Sequence, residues 1–184
     1  MKPRYTPTPG RLRRGFTLVE IMVVVVILGL LIAIGVPAYR HYQRKAEVTQ
    51  FVNSIRIFAQ AYQTFAMKYG TFPNSAAAGV LPNDSNGNYM GSKPGDALNT
   101  GEIRDTDWSA TWLGGQWEWD SGYGPNPISS LGTWGRVHGA ISIVGTTADT
   151  DLMTQIDTII DDGNLQGGSF QKIADGKYSY LVQK

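Results

Sequence analysis

The residue whose type and position most constrain the chemistry is Glu20. It is a carboxylate four residues past Phe16, near the start of an apolar run from Phe16 to Val36 in which only Thr17 and Glu20 are polar. A charge inside lipid is expensive and marks a functional site by default. The charge could be met by an amine, because a basic leader ends at Gly15, and cleavage there would leave a new amino terminus on Phe16. Elsewhere the chain offers little for catalysis. There is no phosphate-binding glycine loop, no His-Glu-x-x-His and no Gly-x-Ser-x-Gly. Of the two histidines, His41 sits among Arg40, Arg44 and Lys45 and reads as an interfacial polar residue, His138 lies in a Gly-rich segment beside a strand, and no pair of acids is spaced for general acid–base work. Enzymatic activity is therefore not expected.

The elements that must position Glu20 follow from hydropathy. Phe16–Val36 is 21 residues, about 31 Å as a helix, close to the hydrocarbon thickness of a bilayer. No small-residue cleavage site follows; Pro37, Tyr39 and Arg40 do. The leader carries Lys2, Arg4, Arg11, Arg13 and Arg14 and no acid, against Arg40, Arg44 and Lys45 beyond the run. The positive-inside rule places the leader in the cytoplasm and the remainder outside. Without Met1–Gly15 the formal net charge falls from +1 to −4, so bulk charge argues against a nucleic-acid partner. With no cysteine, no disulfide can staple the exported part.

The junction Gly15-Phe16-Thr17-Leu18-Val19-Glu20, continued through Ile21 to Pro37 and the tyrosines Tyr39 and Tyr42, resembles the type IV pilin and pseudopilin family. The resemblance covers roughly residues 11 to 73. It implies cleavage by a prepilin peptidase between Gly15 and Phe16 and methylation of the new Phe16 amine. It implies pairing of Glu20 with the Phe16 amine of an adjacent subunit, or of its own chain before assembly. It also implies a flexible zone around Gly29, Gly35 and Pro37. The partners it brings are other pilins or pseudopilins in a polymer, an inner-membrane platform protein, an assembly ATPase and membrane lipid. The place it brings is the bacterial inner membrane, then a periplasmic or surface filament. The absence of cysteine favours a pseudopilin-like or other cysteine-free branch. A minor, tip-located subunit that binds a surface, an exported protein or DNA is the alternative.

Beyond the apolar run, Val48, Phe51, Val52, Ile55, Phe58, Ala59, Tyr62, Phe65, Ala66 and Tyr69 recur at steps of three and four. This predicts an amphipathic helix over 46–69, stopped by Gly70 and Pro73 and packed on its own sheet. Residues 74–107 read as loop with a short helical turn. Asp84-Ser85-Asn86-Gly87-Asn88 begins like a calcium loop, but Tyr89 and Gly95 occupy the positions of the required glycine and closing glutamate. Trp108, Trp112, Trp117, Trp119 and Trp134 are expected mainly in a core, with Glu118 and Asp120 facing water by strand alternation. Ala140–Val144 predicts a strand, and Asp149 or Thr150 caps a helix carrying Leu152, Met153, Ile156, Ile159 and Ile160. Phe170–Ile173 and Tyr178–Val182 flank Asp175-Gly176, a hairpin signal. Asp161-Asp162-Gly163-Asn164 ends the preceding helix. Resemblance to the calcium-binding C-terminal loop of major pseudopilins makes Asp161, Asp162 and Asn164 candidate calcium ligands; no other cofactor is expected.

The expected organisation is α+β. A leader (1–15) is followed by a transmembrane and assembly helix (16–37). The amphipathic outer half of that helix (38–73) packs on a head (74–184) built on a small antiparallel sheet.

Overall fold

The structure, a computed structural model, describes residues 15–91, 103–122 and 131–183. The chain divides into two compact units, Met1–Arg44 and Lys45–Lys184. The described part of the leader is Gly15 alone, so the rest of the expected leader lies outside the described residues.

The first unit holds the beginning of α1 (Leu18–Tyr69). Every described residue up to Arg44 is exposed. This helix is long and apolar enough to cross a membrane, and its most apolar stretch has no protein cover. A helix that is apolar on all sides has no amphipathic seam that would direct one face into a core.

In the second unit, α1 becomes one-sided. Val48, Phe51, Val52, Ile55, Phe58, Ala59, Tyr62 and Phe65 are buried, as the periodicity predicts, together with Ala61. Gly70 ends the helix at φ 79°, a left-handed conformation that glycine adopts without penalty.

The buried stripe packs on a four-stranded antiparallel sheet of β1 (Gln116–Ser121), β2 (Gly139–Val144), β3 (Phe170–Ala174) and β4 (Lys177–Gln183), in the order β1-β2-β4-β3. Trp119 pairs with Ile141, Ile141 with Tyr180, and Tyr180 with Phe170. The side chains that alternate onto the helix-facing side are thereby aligned across the sheet. Tyr62 stacks on Trp119 with centroids 3.7 Å apart and planes 6° from parallel. Phe51 stacks on Trp117 at 5.0 Å. A one-turn helix, α2 (Asp105–Trp108), brings Trp108 edge-on to Phe58. The β3–β4 hairpin turns at Asp175-Gly176, as the sequence predicts, with a register irregularity between Lys172 and Ala174.

The tryptophans divide. Trp108, Trp117 and Trp119 are core residues. Trp134 sits partly buried in a second, smaller cluster with Leu131, Val137 and Ala140. Trp112 is 42% exposed.

The second cluster covers part of the other face of the sheet and corrects one expectation. Asp120 does not face water, and Glu118 is only partly exposed. Asp120 is buried, and both acids pair with Lys177 of β4. Ser142 donates to Asp120, and the Ser142 and Ser179 hydroxyls lie 2.6 Å apart. Alternation predicts which face a side chain points to, not whether that face is covered.

The helix α3 (Thr150–Ile160) lies between β2 and β3 in the chain. Asp149 caps it, its carboxylate accepting from the Leu152 N–H at 2.7 Å. Leu152, Met153 and Ile156 enter the main core, while Ile159 stays 47% exposed.

Candidate functional site

The junction is built by local hydrogen bonding. Thr17 precedes the first helical residue, and Glu20 is three residues on. The Thr17 hydroxyl accepts from the Glu20 N–H at 3.2 Å, and the Glu20 carboxylate accepts from the Thr17 N–H at 2.8 Å. This is a capping box, in which two orphan donors at a helix start satisfy each other reciprocally. The Thr17 hydroxyl also donates to the same carboxylate oxygen at 2.9 Å. Glu20 therefore has partners before any neighbour arrives. The S/T-x-x-E signature of this arrangement is plain in Thr17-Leu18-Val19-Glu20, although sequence reasoning assigned Glu20 only a charge to find.

Glu20 lies beside Phe16, which is 84% exposed, at the start of the uncovered helix. The Gly15–Phe16 peptide bond is open in this position. A Cβ added at Gly15 would meet nothing within 4 Å, and the same holds at Gly29 and Gly35. The isolated chain has no steric demand for glycine at these three positions. Pro37 lies inside α1, which the structure carries without interruption from Leu18 to Tyr69.

The candidate metal ligands form a separate group at the end of α3. Asp161, Asp162 and Asn164 fall in the turn that follows the helix. The Asp161 carboxylate accepts from the Asp162 N–H at 2.6 Å and from the Ser169 N–H, and Asp162 accepts from the Asn164 N–H at 2.9 Å. The structure adds Asp157, which sequence reasoning missed. Its side chain is fully buried, and neither carboxylate oxygen has a hydrogen-bond partner. One oxygen from each of Asp157, Asp161 and Asp162 lies within 4.8 Å of the others. Burial first, then Asp161 and Asp162, pushes the Asp157 carboxyl up to about 7. The available signal was spacing: Asp157 is four residues past buried Met153 and four before Asp161, so it falls on the inward stripe of α3.

Asp84 has no such freedom. It accepts from the N–H groups of Asn86 and Asn88 at 2.9 and 2.8 Å and from the Asn88 amide at 2.7 Å. Its own loop consumes its acceptor capacity.

Comparison with known proteins bears on the junction. The family described as the prokaryotic N-terminal methylation motif matches residues 10–36. A type IV major pilin protein PilE1 of Neisseria gonorrhoeae is 35% identical over 82 residues, covering 43% of this chain and 50% of the pilin. Prepilin peptidase-dependent protein D of Escherichia coli K12 is 43% identical over 58 residues, 32% of this chain and 40% of that protein. Fimbrial protein EcpC of Eikenella corrodens is 30% identical over 93 residues, 50% of this chain and 61% of that protein. The chain spans about half the length of these curated relatives. No solved structure matches. The relatives are structural pilin and fimbrial proteins rather than enzymes. The amino-terminal segment of this chain matches the methylation motif, and that segment with the long apolar helix behind it is similar to the corresponding part of type IV pilin and fimbrial proteins.

Proposed function

We propose that this chain is a structural subunit of a type II secretion pseudopilus or a type IV pilus. Prepilin peptidase cuts between Gly15 and Phe16, and the new Phe16 amine is methylated. The processed chain waits in the inner membrane as a single span, with Phe16 on the cytoplasmic side and the sheet domain outside. A platform protein and a cytoplasmic ATPase then move it into a polymer, where lateral packing of the Phe16–Val36 helices builds the filament core. The observation that carries this reading is the pairing of a wholly uncovered apolar helix with a carboxylate at its start.

The capping box refines the role of Glu20. In the unassembled chain the carboxylate is held by Thr17. In the polymer it turns to the cationic amine of an adjacent Phe16, which rewards one axial register. Glutamine at this position preserves a capping box but removes the charge, whereas alanine removes both. Glu20→Gln is therefore expected to be processed normally and to yield few filaments. Normal filament yield from Glu20→Gln would refute the charge-pairing role. Mass spectrometry of the mature amino terminus tests processing, and an intact Met1 or Lys2 terminus would contradict it. Gly29, Gly35 and Pro37 supply the stretch of α1 that unwinds on assembly.

The end of α3 supports a second element of this reading. Three carboxylate oxygens within 4.8 Å match vertices around an ion whose oxygen ligands lie at about 2.3–2.6 Å. Asp157, Asp161 and Asp162, with Asn164 in the same turn, would hold calcium and neutralise a buried carboxylate at the negative end of a helix dipole. Millimolar calcium is then expected to raise the melting temperature of the wild type but not of Asp161→Ala. No shift in the wild type would remove this element. The tip-located alternative is separated by copy number: detection only at filament ends supports it, and abundance along the shaft supports a major subunit.

A further inference from the structure

Trp112 stands 42% exposed in the second unit, and it is fixed there rather than left loose. It sits in a tight turn over residues 111–115. The Thr111 N–H donates to the Gly115 carbonyl and the Gly114 N–H to the Thr111 carbonyl, each at 3.2 Å, and the Thr111 hydroxyl donates to the Gly114 carbonyl at 2.8 Å. Gly115 has φ 79°, and a Cβ there would stand 2.8 Å from the Thr146 backbone nitrogen, so glycine lets the turn seat against the end of β2. Leu113 is buried, and its carbonyl accepts from the Thr146 hydroxyl at 2.8 Å. Phe51 meets the indole edge-to-face at 6.4 Å. A ring presented to solvent on a fixed frame binds a ligand with little ordering cost.

The indole lines a cleft of about 420 Å³. Small-ligand sites occupy about 300–1,000 Å³. The floor is aromatic and rigid: Phe58 and Trp117 are buried and pack edge-to-face at 5.2 Å. The rim is polar. Arg104 donates from Nε to Asp107 Oδ2 at 2.8 Å, and its Nη2 lies 2.7 Å from the same oxygen. The Oδ1 oxygen meets the Thr106 hydroxyl at 3.4 Å, beyond the usual O–H···O range. Asp107 thus keeps acceptor capacity, and the five N–H donors of Arg104 are not used up by Asp107. Gln50 adds an amide from α1.

Net charge does not select a ligand here, because Arg104 and Asp107 neutralise each other. What remains is an aromatic wall and floor beside a balanced set of donors and acceptors. A ligand that matches both has a flat face of C–H groups and a margin of hydroxyls that donate and accept. A pyranose has that form: its C–H face stacks on an aromatic ring, and two neighbouring hydroxyls pair with a carboxylate–guanidinium unit. We propose that this cleft binds a neutral oligosaccharide, with Trp112 as the stacking platform and the Arg104–Asp107 pair reading adjacent hydroxyls. The site lies wholly within the second unit, goes beyond the filament reading and does not depend on it.

The full-length chain is dispersed in a detergent without a sugar head group, which makes the test independent of polymerisation. Neutral disaccharides of gluco, galacto, manno and N-acetylglucosamine configuration are titrated to tens of millimolar and followed by saturation-transfer NMR. At least one should receive saturation, most strongly at the C–H protons of one ring face. Trp112→Ala should weaken that binding about tenfold or more, because a tryptophan anchor carries a large share of the energy of a small site. Trp112→Phe keeps a ring in the turn and should retain part of the affinity, which separates loss of stacking from loss of fold. Asp107→Asn should weaken binding while leaving the ring-face pattern in place. Added salt should not weaken binding, since the ligand is uncharged. Saturation transfer to none of the four sugar classes overturns the site, as does binding that Trp112→Ala leaves unchanged. Stronger transfer to an uncharged Ser/Thr-rich peptide than to every sugar overturns the ligand class.

Discussion

Gly139 is where the packing of the head can be tested most sharply. It opens β2 directly against the indole of Trp119. A Cβ at this position would stand 2.6 Å from Trp119 Cζ2, with Cη2 closer still. Carbon atoms in contact prefer about 3.5–4.0 Å, so the ring would have to retreat by about 1 Å. It has nowhere to go. Tyr62 is stacked on its face at 3.7 Å, and its Nε1–H donates to the Pro73 carbonyl at 3.1 Å. Forced overpacking of this kind costs about 1–3 kcal/mol. With the ring held on two sides, Gly139→Ala is expected near the upper half of that range, about 2 kcal/mol, which lowers Tm by about 6 °C for a domain of this size. Trp119→Phe destabilises on its own by removing the hydrogen bond and leaving a void, but it also removes the far edge of the ring that the new methyl would strike. In the Trp119→Phe background, Gly139→Ala should therefore cost less than about 0.5 kcal/mol, a coupling well above the additivity limit for independent sites. Thermal melts of the four chains in one detergent, followed by near-ultraviolet circular dichroism, provide the cycle. If Gly139→Ala is neutral alone, or the two penalties simply add, the close approach of Gly139 to Trp119 does not govern this core.

The other expected outcomes concern polar groups. Burial raises the Asp84 carboxyl, but hydrogen bonds from Asn88 and Asn86 outweigh it and hold the group below its ordinary value. A depressed carboxylate stabilises the fold above its unfolded pKa and loses that contribution as pH falls through the folded value. Asp84→Ala should therefore destabilise by about 2 kcal/mol at neutral pH and progressively less on the acid limb, read from denaturant midpoints between pH 7 and pH 2. Burial lowers Lys177, but Glu118 and Asp120 together raise it above 10.5, so its contribution is complete below that pH and is lost as pH climbs through the folded value. Lys177→Met leaves buried Asp120 with Ser142 alone; residual solvent access reduces the usual cost of a broken buried pair to about 2–3 kcal/mol at pH 7, and urea titration of the variant tests it. Asp149→Ala removes the cap of α3 and should cost about 1 kcal/mol, with amide exchange accelerated first at the N-terminal turn of that helix.

The linear features of this chain were legible before any coordinates. Phe16–Val36 reads as a span because its apolar length matches a bilayer; the Thr17–Glu20 spacing of a capping box was equally local, but only the structure drew attention to it. The stripe from Val48 to Phe65 and the turn at Asp175-Gly176 are likewise local patterns, set by the periods of helix and strand and by glycine's access to positive φ. What alternation could not decide was what covers each face. Glu118 and Asp120 read as solvent-facing, yet Lys177, 57 or more residues away in sequence, meets them across two strands. Asp157 drew no reading from the sequence, and the packing of α3 makes it a buried carboxylate next to Asp161 and Asp162. Trp112 and Trp117 are five residues apart and the same residue type, but one stands 42% exposed and the other is buried in the core. Period and spacing determined the elements because they act between near neighbours. The environment of each charge and ring was decided by contacts between residues distant in the chain, which no local pattern encodes.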